Sequence, residues 1–255
     1  MLDNEFAEII SYPIYDLQGG AQTMATNDGN LLIYVDGAIV PRDEARVSVF
    51  DASFQSGDAV WEGLRLYNGT VFKLAEHLDR LYRSAKAVEI AIPLDRAALS
   101  DAIYATLRAN KFHDGAHTRL MVSRGERRTS GMNPQNVDGI ATIVIIPEVK
   151  PVPEVPHPIR LRTVGIRRPE PDVLDPSVHS ANQLNSILAK LEANRAGVDG
   201  AVMLNRAGFV AETDSSNIFM VREGAVMTPR ATACVHGITR RATLELARTR
   251  GREIR

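Results

Sequence analysis

The segment DAVWEGLRLYNGTVFK, residues 58–73, constrains the fold more than any other part of the chain. It predicts two strands around Asn68-Gly69, which supplies the positive φ angles that a tight two-residue turn requires. The segment LLIYVDGAIVP, residues 31–41, has the same character around Asp36-Gly37. The sequence therefore predicts two β-hairpins, and the second has a well-specified register.

Helical periodicity replaces the strand pattern at Leu74. Apolar residues recur at helical spacing as far as Val88, and residues 94–110 repeat the pattern with Asp95 as a predicted N-cap. Two amphipathic helices are therefore expected after the second hairpin.

A proline-rich segment, KPVPEVPHP, follows two further predicted strands at residues 118–125 and 140–148. It places four prolines within Pro151–Pro158, a composition typical of a linker. Beyond it the pattern predicts a strand at residues 159–166, a helix, two hairpins and a last helix with Thr239 as its N-cap. The first of these helices has one apolar face, formed by Leu184, Ile187, Leu188 and Leu191.

This order of elements predicts an α+β protein with two domains. We expect an N-terminal extension at residues 1–30, a small α/β domain at 31–149, a linker at 150–158 and a second domain at 159–255. The chain stops on REIR, where a further strand is starting, so we expect the second domain to be incomplete.

Composition excludes several classes of partner. The net charge of −1 creates no global field that would attract nucleic acid or an anionic membrane. Cys234 is the only cysteine, which fits a reducing compartment, and the N-terminus carries acids where a signal peptide carries basic residues. No apolar run approaches the length of a membrane span. We therefore expect a cytoplasmic protein without nucleic-acid or membrane partners.

Two local patterns, a pair of histidines and a basic run, do not indicate a metal site or a nucleic-acid surface. His113 and His117 lie four residues apart, but a glycine lies between them and no third metal ligand is evident, so no metal site is predicted. The basic run Arg124–Arg128 lacks the interleaved aromatic residues of a nucleic-acid surface, and we interpret it as loop surface or as the rim of a carboxylate-binding pocket.

Three other stretches each carry a weak signal for binding an anion or a ring. In GITR, a glycine precedes a predicted helix whose first N–H groups attract a phosphate. Arg80 flanks a leucine stripe, where its guanidinium can reach a buried anion bidentately. Glu212 ends a predicted strand, where it either meets a protonated ring nitrogen or caps the polar turn that follows.

These stretches also carry a resemblance to a known family. From about Leu32 to Arg255 the sequence resembles the class IV aminotransferases, the fold-type IV pyridoxal-phosphate enzymes. These include branched-chain and D-amino-acid aminotransferases and aminodeoxychorismate lyase. The matching motifs occur in the family's order: VWEGLRLYNG, EHLDRLYRSA, VSRG, GMNP, HSANQLNSILAK, AETDSSNIF and GITR. The resemblance implies the family's two-domain architecture, in which residues 159–255 form the larger, cofactor-binding domain, here without the family's usual last segment.

The resemblance implies a set of cofactor contacts. Arg80, the backbone of Ile238 and the backbone and hydroxyl of Thr239 would hold the phosphate of pyridoxal phosphate. Glu212 would face the pyridine nitrogen and keep it protonated, so that the ring can absorb electrons released from the substrate.

Substrate contacts are also implied, with structural alternatives beside them. Trp61 would lie on the substrate side of the pocket, although a core aromatic is an equally good interpretation. Arg119 or Arg124 would meet a substrate carboxylate, although either can instead pair with a surface acid. The resemblance further implies a homodimer that acts on a small amino acid, branched-chain or D-, and a 2-oxo acid.

His179 departs from the family. The family carries its catalytic lysine at this position, where it binds the cofactor covalently and moves the substrate proton. Imidazole forms no Schiff base, but with an ordinary pKa near ~6.5 it can still transfer a proton. Lys190 is no substitute, because eleven residues separate it from His179, about 16 Å along a helix. Gln183 also replaces a frequent tyrosine.

Two classes of function therefore remain open. The first is a class IV aminotransferase-type enzyme with non-covalent cofactor and His179 as proton carrier, either a natural lysine-free relative or an engineered variant. The second is a protein without transaminase activity: a cofactor-free lyase or hydrolase that uses His179 as base, or a non-catalytic binding protein.

Overall fold

The computed structural model describes residues 8–10, 30–152 and 157–255. In chain order, the elements are β1 (Glu8–Ile10), β2 (Leu32–Val35), β3 (Ala38–Pro41), α1 (Ala52–Ser56), β4 (Ala59–Tyr67), β5 (Thr70–Val71), α2 (Leu74–Ala87), α3 (Arg96–Ala109), β6 (Ala116–Ser123), β7 (Ile143–Val149), β8 (Leu161–Arg167), α4 (Leu184–Arg195), β9 (Gly200–Leu204), β10 (Val210–Thr213), β11 (Phe219–Arg222), β12 (Ala225–Met227) and α5 (Ile238–Thr249). No helix within the described ranges is both long and apolar enough to span a bilayer.

The chain divides into two compact units. Of the described residues, the N-terminal unit contains 30–152 and Val178–Asn182, and the C-terminal unit contains 8–10, 157–177 and Gln183–Arg255. The sequence pattern predicted one domain at 159–255, but Val178–Asn182 lies with the N-terminal unit. Most of the predicted extension at 1–30, and residues 153–156 of the predicted linker, lie outside the described residues.

The N-terminal unit is built on a six-stranded antiparallel sheet with strand order β3-β2-β7-β6-β4-β5. Both predicted hairpins are confirmed: Asp36 and Gly37 have φ values of 46° and 99°, and Asn68 and Gly69 have 46° and 78°. These are the positive φ angles that two-residue turns require. The predicted N-cap of α3 is also confirmed, because Asp95 accepts the backbone N–H of Ala98 at 2.8 Å.

Helices α2 and α3 complete the core of this unit. Helix α2 packs against β4, and α3 packs against β2 and β7. The largest completely buried side chains come from these helices and from the strand faces that meet them, and they include Leu64, Leu81, Leu99, Ile103, Leu120 and Ile145. Along β4 the alternation buries Val60, Glu62, Leu64 and Leu66. One glutamate therefore lies on an otherwise apolar face.

The C-terminal unit contains two three-stranded sheets. Strands β8 and β9 are parallel and β10 pairs antiparallel with β9, while β1 and β12 flank β11. Helix α4 packs against β8 and β9 through Ala189 and Ala193, which contact a small core of Val164, Ala201 and Met203.

Two expectations for helices of this unit are corrected. The apolar face predicted for α4 is exposed, with Leu184 60% and Ile187 52% accessible, because the small alanine face is the one that meets the sheet. The N-cap of α5 is Gly237 rather than Thr239, since Gly237 has extended backbone angles and the helix begins at Ile238.

Candidate functional site

The carboxylate of Glu62 is the centre of a buried polar cluster in the N-terminal unit. Glu62 is 0% exposed on β4. Arg80, from α2, donates from Nε to Oε1 at 2.7 Å and from Nη2 to Oε2 at 2.6 Å. His77 lies one helical turn before Arg80, and its Nδ1 is 2.7 Å from Oε2. The buried anion that Arg80 reaches bidentately is therefore a side chain of the protein itself.

The surroundings of Glu62 keep it ionised. Burial by itself raises the pKa of a carboxyl group. In this cluster the contacts from Arg80, His179 and His77 outweigh burial and hold the pKa of Glu62 well below its usual range. A bidentate guanidinium is the partner that a buried carboxylate requires, because an unpaired buried charge is costly.

His179 is held beside this cluster by its backbone. Its N–H donates to the hydroxyl of Ser84 at 3.0 Å, and its carbonyl accepts the N–H of Trp61 at 3.0 Å. The neighbouring Ala181 donates to the carbonyl of Ala59 at 2.8 Å, so the segment pairs with the start of β4. This pairing explains why residues 178–182 lie with the N-terminal unit.

The imidazole of His179 lies between an aromatic ring and a carboxylate. It stacks on Trp61 with ring centroids 4.3 Å apart and planes inclined by 27°. Its Nδ1 is 3.5 Å from Oε1 of Glu62, and this nitrogen is buried without a hydrogen-bond partner among the described residues. The contact is thus electrostatic in this state, since a hydrogen bond of this type is normally shorter. The indole of Trp61 is fixed in turn by a 3.0 Å hydrogen bond to the carbonyl of Ser180.

Burial decides the charge of His179. It lowers the pKa of the imidazole, and Arg80 lowers it further, while Glu62 acts in the opposite direction without cancelling the shift. His179 is therefore a neutral imidazole at neutral pH, the form that accepts a proton.

The two arginines predicted to meet a substrate carboxylate have different environments. Arg119 is half-buried on β6, and its Cζ lies 4.2 Å from the centre of the Trp61 ring. Arg124 instead pairs bidentately with Asp58 at 2.7 and 3.0 Å and donates to the carbonyls of Val88 and Glu89. The structure brings Arg119 together with Trp61 and gives Arg124 a set of structural contacts.

Glu212 is the corresponding buried acid of the C-terminal unit. Its Oε2 accepts the N–H of Val235 and the amide of Asn217, each at 3.2 Å, and its Oε1 is 2.8 Å from Nε of Arg168. That Nε has no aligned hydrogen-bond partner in the part of the chain that the structure describes, so the contact is an ion pair only. Burial raises the pKa of Glu212 to about 7, although Arg168 and Val235 act against the rise.

The start of α5 lies close to this carboxylate. Gly237, the N-cap, has no side chain to satisfy the first N–H groups of the helix, so Ile238 and Thr239 begin it without a side-chain cap. A Cβ on Gly237 would lie 2.0 Å from Oδ1 of Asn217. Asn217 also donates to Glu212 and to the carbonyl of Val235, and so it links the carboxylate to the helix N-terminus.

These groups fit pyridoxal phosphate in part. An uncapped helix N-terminus suits a phosphate, and a buried carboxylate with a raised pKa suits a pyridinium N–H. The covalent link has no counterpart, because His179 offers no amine and Nζ of Lys190 on α4 is bound to the carbonyl of Asp199. The donor set therefore fits a non-covalently held cofactor. No group of three or more His, Cys, Asp or Glu side chains in the described ranges is arranged to hold a metal ion.

Comparison with known proteins identifies the family. The model of the family "Amino-transferase class IV" matches residues 59–255. The chain belongs to the class IV aminotransferase family. It is 48% identical over 220 residues to the branched-chain-amino-acid aminotransferase-like protein 2 of Arabidopsis thaliana, covering 86% of this chain and 39% of the plant protein. The chain thus spans about two fifths of that relative.

Two other relatives are covered more completely. The putative branched-chain-amino-acid aminotransferase of Methanocaldococcus jannaschii is 44% identical over 223 residues, which is 87% of this chain and 76% of the archaeal protein. The crystal structure of the branched-chain aminotransferase from Thermoproteus uzoniensis with norvaline superposes with a TM-score of 0.78. It is 32% identical, and the superposition covers 88% of this chain and 77% of that chain. The α+β fold of this class IV family member is thereby confirmed.

Sequence reasoning missed four side chains of the two clusters: Glu62, His77, Arg168 and Asn217. The sequence does carry a signal for Glu62. It lies two positions from both Val60 and Leu64, and side chains two positions apart point to the same face of a strand, here the buried one. A carboxylate there requires a cation, and Arg80 was available. Arg168 gave no such signal, because its contact with Glu212 joins residues 44 positions apart in the chain.

Proposed function

We propose that this class IV family member transfers an amino group between a small amino acid and a 2-oxo acid, with pyridoxal phosphate bound non-covalently. The observation that carries the proposal is the connection, through Asn217, of the buried Glu212 carboxylate to the uncapped start of α5. Such an arrangement offers an anion seat and a partner for a ring nitrogen at a fixed separation within one unit.

Within the C-terminal unit, Glu212 would pair with the ring nitrogen, and the backbone N–H groups of Ile238 and Thr239 would hold the phosphate. The hydroxyl of Thr239, exposed on the first turn, adds a donor. Bound pyridoxal phosphate supplies an electron sink for the carbanion that forms when a substrate α-proton leaves. The Arg168 ion pair keeps part of the charge on Glu212 despite its burial.

Within the N-terminal unit, His179 moves the proton. Its neutral imidazole would take the proton from the substrate α-carbon and deliver it to C4′ of the cofactor, a transfer that contributes about 10²- to 10⁴-fold in typical enzymes. Trp61 fixes the plane of the imidazole by stacking, and Arg119 binds a substrate carboxylate. Arg80 contributes to phosphate binding by resemblance to the family, while its Nε and Nη2 hold Glu62.

Branched-chain L-amino acids are the substrates we propose. The names of the relatives from Arabidopsis thaliana, Methanocaldococcus jannaschii and Thermoproteus uzoniensis all describe branched-chain aminotransferases or proteins like them. D-amino acids are the competing substrate class. We further propose a homodimer in the cytoplasm, on the resemblance to the family and on the lone cysteine.

A binding and single-turnover experiment tests this proposal. Trp61 is the only tryptophan of the chain, so its fluorescence reports binding beside His179. We expect equilibrium dialysis to show bound pyridoxal phosphate, borohydride to leave residue 179 unmodified, and mass spectrometry to detect pyridoxamine phosphate after L-leucine, L-valine or L-isoleucine is added. If pyridoxamine phosphate formed only with D-alanine, the substrates would be D-amino acids instead.

A second candidate function follows from the same imidazole. His179 is neutral and lies beside an ionised carboxylate, which also suits a cofactor-free lyase or hydrolase with His179 as base. Absence of cofactor binding in the wild type would overturn the first proposal and favour this one. Cofactor binding without any product would instead indicate a binding protein.

A further inference from the structure

The amino transfer proposed above assigns no role to the contact between Glu62 and His179. Glu62 is completely buried, and both of its oxygens already accept from Arg80. Its Oε1 nevertheless also faces Nδ1 of His179 at 3.5 Å, while Oε2 faces His77. One carboxylate thus serves two histidines through two different atoms.

The chemistry of an ionised carboxylate determines which proton His179 carries. A neutral imidazole has one N–H and one lone pair, and an ionised carboxylate only accepts hydrogen bonds. A lone pair on Nδ1 would face the negative Oε1 and repel it. The stable arrangement therefore places the N–H on Nδ1 and leaves the lone pair on Nε2, at the opposite edge of the ring.

We propose that Glu62 is a positioning residue that holds His179 in the Nδ1–H tautomer, so that Nε2 is the atom that accepts the substrate proton. The catalytic part of this inference rests on the proposed function. In that step the proton passes from the substrate α-carbon to Nε2, the electron pair of the C–H bond stays with the substrate, and Nδ1 keeps its own proton. No oxidant or reductant takes part.

Arg80 completes the arrangement by balancing the charge of Glu62. An uncompensated carboxylate at this distance would favour an imidazolium, which accepts no proton. Among the described residues, the charged groups that act on the imidazole of His179 are Glu62 from β4 and Arg80 from α2, while Ser84 binds the backbone N–H and the Trp61 ring covers the imidazole. The ion pair between Arg80 and Glu62 therefore orients His179, and the net charge of the pair stays near zero.

The test is the tautomer of His179 in the cofactor-free protein. Long-range ¹H–¹⁵N NMR distinguishes the two tautomers, and the His179→Gln variant assigns the signal among the six histidines. We expect the Nδ1–H form in the wild type at neutral pH, although free imidazole side chains favour Nε2–H. In Glu62→Gln we expect loss of the Nδ1–H form and a fall of about 10²-fold in the single-turnover rate, in the range for general acid–base catalysis.

His77→Gln is the matched control. His77 contacts the same carboxylate through Oε2, so this variant alters the same cluster but leaves the Oε1 contact in place. We expect His179 to keep the Nδ1–H form in His77→Gln. An equal loss of that form in both variants would indicate a general disturbance and overturn the specific role of Glu62.

The wild-type spectrum decides the inference even if Glu62→Gln fails to fold. Nε2–H or doubly protonated His179 at neutral pH would overturn the positioning role. Because the spectrum requires neither cofactor nor substrate, absence of pyridoxal phosphate binding would overturn the proposed function and leave the tautomer result standing.

Discussion

At the scale of single residues, two buried glutamates show how their neighbours determine charge. Glu62 is bound bidentately by Arg80 and contacted by two histidines, and its pKa is held well below the usual range. Glu212 has one ion pair and weaker N–H contacts, and its pKa rises to about 7. Two acids whose pKa values are shifted in opposite directions are suited to different tasks. Glu62 stays ionised and can orient a base, whereas Glu212 is suited to share a proton with a ring nitrogen.

Replacing Glu212 with glutamine tests its raised pKa through stability. The folded pKa of about 7 lies above the ordinary 4.5, so the folded state binds more protons than the unfolded state between these values. The stability that Glu212 contributes is therefore lost as pH rises from about 4.5 to about 7. We expect the unfolding free energy of the cofactor-free wild type, relative to Glu212→Gln, to fall by about 3 kcal/mol across this range.

Urea unfolding of both proteins at several pH values measures this difference. The most acidic samples serve as an internal control, because Glu212 is protonated there in both states. A difference that stays constant with pH would contradict the raised pKa.

Arg119 and Arg124 are separated by a matched pair of lysine substitutions. Arg119→Lys keeps the charge but loses the planar contact with Trp61 and the bidentate fork. We expect its dissociation constant for a 2-oxo acid, followed by Trp61 fluorescence, to rise about 10-fold, in line with ~1.5 kcal/mol for a charge-assisted hydrogen bond. We expect Arg124→Lys to lower the thermal midpoint, because its contacts to Asp58 are lost, with little change in ligand affinity. If Arg124→Lys weakened the affinity for the 2-oxo acid and Arg119→Lys did not, Arg124 would be the residue that binds the substrate carboxylate.

At the scale of helices and strands, local patterns predicted most of the structure. The hairpin turns carry their φ preference in two adjacent residues, and the N-cap of α3 depends on one side chain three positions from its partner. The buried face of α4 was harder to predict, because Ala189 and Ala193 are less hydrophobic than the leucines on the exposed face. The start of α5 was placed two residues late because Gly237, which caps it, has no capping side chain.

Gly237→Ala tests the link between the start of α5 and Glu212. A Cβ at this position would lie 2.0 Å from Oδ1 of Asn217, whose amide is already bound to Glu212 and Val235. Asn217 must therefore move, which weakens both the carboxylate contact and the geometry of the phosphate seat. We expect at least a 10-fold weaker affinity for pyridoxal phosphate by equilibrium dialysis, equivalent to ~1.4 kcal/mol.

Gly139→Ala is the control for this substitution. Apart from Gly139 itself and its chain neighbours, no atom of the described residues lies within 4 Å of a Cβ built on Gly139. We expect its cofactor affinity to equal that of the wild type. Equal affinities for Gly237→Ala and the wild type would show that Asn217 plays no part in cofactor binding.

At the scale of the whole molecule, the chain distributes its functional groups between two compact units. His179 belongs to the N-terminal unit through its pairing with β4, whereas Glu212 and the start of α5 belong to the C-terminal unit. Contacts such as Glu62 with His179 join residues 117 positions apart, which no local pattern encodes. Among sequence-based signals, only the family resemblance connects Arg80, Glu212 and Thr239 as contacts of one cofactor.

The most direct measurement compares the wild type with His179→Lys after incubation of each with pyridoxal phosphate. Visible absorbance and borohydride reduction with peptide mapping report covalent binding at residue 179, and single-turnover reactions with L- and D-amino acids report amino transfer. We predict that His179→Lys binds the cofactor covalently and transaminates, while the wild type binds it without a covalent bond. If neither protein binds pyridoxal phosphate, the assignment of an aminotransferase site to this chain is wrong.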